Sequence, residues 1–288
     1  MFDRISASFT LARNSWDVLR QDKKLLIFPI LSGIGCFLVL ASFVLPLAVI
    51  RPTWLDALGN GNGAGGNAGK SPWPYVIAFA FYFCNYSVIV FCNAALISCA
   101  LIRFNGGEPT IGDGINAAVS RLPQILAWAL VSATVGVILK AIENTNEKVG
   151  SFISMILGTA WAVMTFFVVP VLVVEKVGPV DAVKRSMSIL KKTWGEALVG
   201  QFGIGLFMFL LALPGIAIFI VGAILAAAQP VIGIPVIVLG LIYFLLLGAV
   251  SSAMHGIYLG ALYQYATHGS VPGGFDNNVL ERAFQRKR

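Results

Sequence analysis

The chain has 288 residues, 58% of them hydrophobic and 11% charged, with a net charge of +7 and a mean hydropathy of +0.84. A water-soluble domain carries about a quarter charged residues, so this composition excludes a cytosolic globular enzyme. The bilayer's hydrocarbon core is about 30 Å thick and takes about 20 helical residues to cross; six apolar runs here are long enough.

The first 24 residues precede those runs. Ile5, Phe9, Ala12, Trp16 and Leu19 recur at alternating spacings of four and three, with Arg4, Arg13 and Arg20 off that face. This periodicity predicts an amphipathic helix. Lying in the membrane interface, it would place Trp16 at headgroup level and Arg13 near phosphates. The same stripe could instead pack against the bundle, and both readings stay open. No cleaved signal peptide is expected, because the first apolar run starts only at residue 25, is too long, and lacks a small-residue cleavage site.

The first span covers 25–50. The loop 51–74 contains Gly/Asn-rich residues 59–69, which cannot bury apolar area and read as a flexible external linker; the phosphate-loop pattern is absent. The second span, 75–102, repeats Cys84-Asn85 as Cys92-Asn93 and adds Cys99. Three thiols could hold a soft metal ion. Interhelical hydrogen bonding by Asn85 and Asn93, with cysteine as a small packing residue, is the favoured reading. Cys36 lies in span one, and no CxxC pair occurs. No metal or cofactor is expected.

A weaker amphipathic stripe, Ile111, Ile115, Ala118 and Leu122, with Asp113 in its first turn, precedes the third span at 123–142. Lys140 at that span's outer end can reach the interface. Span four covers 151–174. The stripe then returns as Val183, Met187, Leu190, Trp194 and Leu198, flanked by Lys191 and Lys192. Residues 8–16 (SFTLARNSW) align with 186–194 (SMSILKKTW), sharing the first Ser and the last Trp. The expectation is three repeats, each an interfacial helix at the cytoplasmic face followed by a transmembrane hairpin.

Span five covers 202–228, and Gln229 to Gly233 reads as a tight turn into span six, 233–264. There Gly248, Ser252, Gly256 and Gly260 form a small-residue ladder that admits a second helix closely, from the same bundle or another protomer. His255, the one histidine inside a span, reads as a packing residue rather than a proton relay. Prolines 29, 46, 170 and 214 suggest kinks. The tail, 265–288, carries a short apolar face ahead of Arg286-Lys287-Arg288. With the N-terminus inside, sixteen of the twenty Lys and Arg fall on cytoplasmic segments and four outside, so both termini are expected in the cytoplasm. Such a basic face suits anionic lipids. Nucleic acid is not expected, because the basic residues are divided among segments flanking spans.

Three stretches carry a resemblance: SWDVLRQDKKLLIFP at 15–29, GDGI at 112–115 continuing through RLPQILAW at 121–128, and YAT at 265–267 with the Val271-Pro272 and Gly274-Phe275-Asp276 segments. They resemble an uncharacterised family of bacterial multi-pass membrane proteins, a domain of unknown function. The resemblance implies the inner membrane of a bacterium or archaeon and brings no catalytic residues. The repeated surface helices are also loosely similar to membrane domains attached to some glycerophosphodiesterases. The expectation is an all-α integral membrane protein, not an enzyme, that organises lipids or partner proteins at the cytoplasmic face. A transporter or channel for a hydrophobic or lipid-like substrate is the alternative, and an interfacial enzyme a second one.

Overall fold

The computed structural model describes residues 2–50, 73–143, 149–269 and 273, without the side chains of 2–9, 47–50, 73–75 and 194–200. Of the loop expected over 51–74, residues 51–72 lie outside the described residues and 73–74 already belong to the next helix; the tail beyond Gly273 and the side chains of Ser8 and Trp194 also lie outside. Among the described residues the backbone is helical nearly throughout and holds no strand.

Helix α1 spans Phe2–Gln21 and leads through a 3₁₀ turn, Lys23–Leu26, into α2, Ile27–Ile50. Then follow α3 (Trp73–Phe104), α4 (Ile111–Val119), α5 (Leu122–Glu143), α6 (Val149–Met164), α7 (Val168–Glu175), α8 (Pro179–Ala228) and α9 (Pro230–His268). Six stretches of these helices are long and apolar enough to cross a membrane. They correspond to the six expected spans.

Three boundaries differ from the sequence reading, each for a local reason. Span four, expected as one helix over 151–174, is α6 and α7 with a turn between them. Pro170 has no N–H to return to Phe166 O, so the helix cannot run through. The Phe167 N–H donates instead to the Ser186 hydroxyl at 3.0 Å, and Ser186 is fully buried. The surface segment before span five is continuous with it as α8, which bends at Thr193 (φ −120°, ψ 20°). The Thr193 hydroxyl donates back to Ile189 O at 3.1 Å, a bond that commonly bends helices. Between α8 and α9 stands Gln229 alone, because Pro230 begins the next helix at once, a position where the missing N–H is not needed.

Helices α8 and α9 meet through glycines. A Cβ on Gly233 would overlap the Ala226 backbone, and one on Gly222 would come 2.9 Å from Ile237 Cγ1. On the expected ladder, a Cβ on Gly256 would strike Leu96, and one on Gly260 would touch Phe104 Cε2 at 3.6 Å, both on α3. Gly248 has nothing within 4 Å, and Ser252 is exposed.

Burial is concentrated at one end of the bundle. It takes in residues 94–100 of α3, Phe167, residues 168 and 170–173 of α7, and 256–264 of α9, with Leu11, Ala12, Ser15, Val18 and Leu19 of α1. Over 230–252, by contrast, α9 buries only Gly233 and Gly240. Large apolar side chains such as Phe209, Ile220 and Leu246 face outward along α8 and α9. In lipid their exposure carries no hydrophobic penalty, since acyl chains are as apolar as leucine.

Candidate functional site

The packed end is also the polar end. Arg103, one residue before the end of α3, pairs with Asp22 (3.1 Å) and donates to Gln21 Oε1 (3.1 Å). Arg121 donates to Val173 O at 2.9 Å. Arg185 donates to both Glu175 oxygens, at 2.8 and 3.1 Å. This charge-assisted contact raises the guanidinium above its ordinary pKa. The turn that brings Glu175 and Arg185 together has Lys176 in the left-handed region (φ 58°), then Pro179 opening α8. Tyr263 of α9 closes the group by donating to Glu175 Oε1 at 3.0 Å. At the start of α4, the Thr110 hydroxyl and backbone N–H both donate to Asp113 and hold its carboxyl below the usual range.

Two cavities open at this end. The first, about 400 Å³, is lined by Thr10, Arg13 and Trp16 of α1 and Phe207 of α8. Trp16 lies with its ring centroid 6.1 Å from that of Phe207. Of the described part of the α1 stripe, Ala12 and Leu19 are buried and Trp16 partly so, while Arg13 is exposed. Two of the residues expected at the interface therefore share one cavity.

The aligned copies 8–16 and 186–194 behave alike. Ser15 donates to Leu11 O and Thr193 to Ile189 O, each at 3.1 Å and each buried. Leu11 matches Ile189 and Ala12 matches Leu190 as buried pairs, and Arg13 matches Lys191 as an exposed one. They part at the next position, where Asn14 is buried and Lys192 exposed.

The second cavity, about 220 Å³, is walled by Leu101, Asn105, Val174, Tyr263, Gln264 and His268. No sequence pattern singles out Asn105, Gln264 or His268, because their meeting depends on how α3 and α9 end.

The other candidates are placed elsewhere. Asn85 donates to Phe81 O of its own helix at 2.9 Å. Asn93 is partly buried on α3. His255 packs edge-on against Phe166, centroids 6.2 Å apart. Cys99 donates to Thr110 O at 3.4 Å. Among the described residues no group of three or more His, Cys, Asp or Glu is arranged to hold a metal ion.

A family described as "Family of unknown function (DUF6159)" matches residues 73–274, well over half of the sequence. The chain belongs to this family. The DUF6159 match opens with α3, so α1 and α2 lie outside it, and it includes every residue lining the second cavity but only Phe207 of the first. No curated protein and no solved structure matches the chain.

Proposed function

We propose that this is a non-enzymatic multi-pass protein of a bacterial or archaeal cytoplasmic membrane that organises anionic lipids, and through them partner proteins, at its cytoplasmic face. Both termini and the packed, basic end face the cytoplasm, and the chain is three hairpins, each led by a surface helix. The observation that carries the reading is the cavity shared by Arg13, Trp16 and Phe207. A guanidinium suits a lipid phosphate, an indole suits headgroup depth, and the Phe207 ring suits the start of an acyl chain. Because Ala12 and Leu19 of the α1 stripe are buried, attachment through this helix falls to its exposed basic residues and to Trp16. Lys191 and Lys192 are exposed on the equivalent stretch of α8 and extend the basic surface.

The test compares wild type with Arg13→Glu and with Lys191→Glu/Lys192→Glu in lipid discs, measuring enrichment of phosphatidylglycerol over phosphatidylcholine around the protein. Each basic residue near an anionic surface contributes about 1 kcal/mol, so enrichment should fall roughly fivefold per charge lost, without unfolding. Depth-dependent quenching of Trp16 in a single-Trp variant should place its indole at the headgroups. An unchanged lipid preference, or an indole in bulk water or at the bilayer centre, would sink the reading.

A further inference from the structure

We propose that the cavity at the ends of α3, α7 and α9 binds a primary ammonium group, carried either by a lipid headgroup or by a small soluble amine. The hydrogen bonds of its wall set the polarity of the occupant. Asn105 donates its Nδ2 to Leu101 O at 2.8 Å, which leaves its Oδ1 to accept from Gln264 Nε2 at 3.4 Å. That fixes the Gln264 amide one way round. Its Oε1 then has no donor at all, although the residue is only 9% exposed.

Tyr263 spends its hydroxyl proton on Glu175. Thr267 spends its own on Tyr263 O at 2.8 Å, so its oxygen, 2.8 Å from His268 Nδ1, accepts the ring N–H. The His268 ring is thus held at Nδ1 by Thr267, which leaves Nε2 as its other polar atom. Each amide of the wall thus engages one of its two N–H groups, and the Tyr263 and Thr267 hydroxyl protons are taken. In this wall the buried acceptor left without a donor is Gln264 Oε1.

A phosphate or carboxylate has only acceptor atoms and would leave Gln264 Oε1 unpartnered. An ammonium brings three N–H donors. The carbonyl ends of α3, α7 and α9 all terminate here and add negative potential. Glu175 is already paired with Arg185, so the unmet need is for donors. The volume, about 220 Å³, accommodates an ethanolamine-sized group.

This site does not depend on the anionic-lipid reading, which rests on other residues. Phosphatidylethanolamine and phosphatidylcholine have the same net charge and differ in N–H donors, so comparing them isolates the cavity's chemistry from the basic surface.

The experiment uses the full chain in detergent and lipid discs, with native mass spectrometry for retained lipid and thermal melting for free ethanolamine. Phosphatidylethanolamine should be retained about tenfold over phosphatidylcholine, as expected for a hydrogen bond to a charged donor. Gln264→Leu should remove that preference. If free ethanolamine raises the melting temperature in wild type but not in Gln264→Leu, the proposal also stands, with a soluble amine as occupant. Equal retention of both lipids with no ethanolamine shift would overturn it, as would a preference that survives Gln264→Leu. Should Gln264→Leu not fold, His268→Ala, at an exposed position, takes its place in both measurements with the same outcomes decisive.

Discussion

Hydroxyl groups settle much of the backbone's geometry at the packed end. Ser186 satisfies the N–H freed where span four breaks, Thr193 bends α8, and Thr110 caps α4. The Thr110–Asp113 pair also makes a pH-dependent contribution. Its hydroxyl and N–H lower the Asp113 pKa in the folded protein, and a depressed carboxylate stabilises above its unfolded value. That contribution declines as pH falls below the ordinary aspartate value of about 4 and is gone below the lowered native value. The stability gap between wild type and Asp113→Asn should therefore be full at neutral pH and close in acid, as read from detergent melting curves. A gap independent of pH would mean that the carboxylate's charge contributes nothing. Asp113 in the first turn of this segment was legible in the sequence, whereas the reach of Ser186 to Phe167, nineteen residues away, was not.

At the scale of elements, helix approach is governed by glycine, though only part of the span-six ladder takes part. The spacing of Gly248, Ser252, Gly256 and Gly260 is uniform, yet only the latter two glycines meet α3. A further close approach, between α8 and α9, uses Gly222 and Gly233. Gly256→Leu should thus drive α3 and α9 apart and cost about 1–3 kcal/mol, the usual penalty for overpacking. Gly248→Leu, with nothing within 4 Å, should leave melting unchanged. Equal melting of the two variants in detergent would show that the α3–α9 contact is not a source of stability. The sequence marks where a helix can be approached closely; which helix arrives depends on where α3 and α9 lie relative to one another.

Across the whole molecule, the buried core sits at the end where the charged segments gather, and the far halves of α8 and α9 present apolar side chains outward. With that end in the cytoplasm, a reporter active only outside should be silent when fused after Arg288 and active when inserted at Gly65. The opposite pattern would invert the proposed topology.

The sequence by itself determined the solvent of this protein and its six crossings, because the hydrocarbon thickness translates directly into the length of an uncharged run. It also carried the likeness of 8–16 to 186–194, since a repeated side-chain pattern survives in one dimension. Tertiary structure alone decided that Ala12 and Leu19 of the α1 stripe are buried in the bundle, because periodicity tells that a face is apolar and not whether lipid or protein covers it. It alone brought Asn105, Tyr263, Gln264 and His268 to one wall. Those residues come from the ends of helices distant in the chain, and donors and acceptors can be matched only once the helices have met.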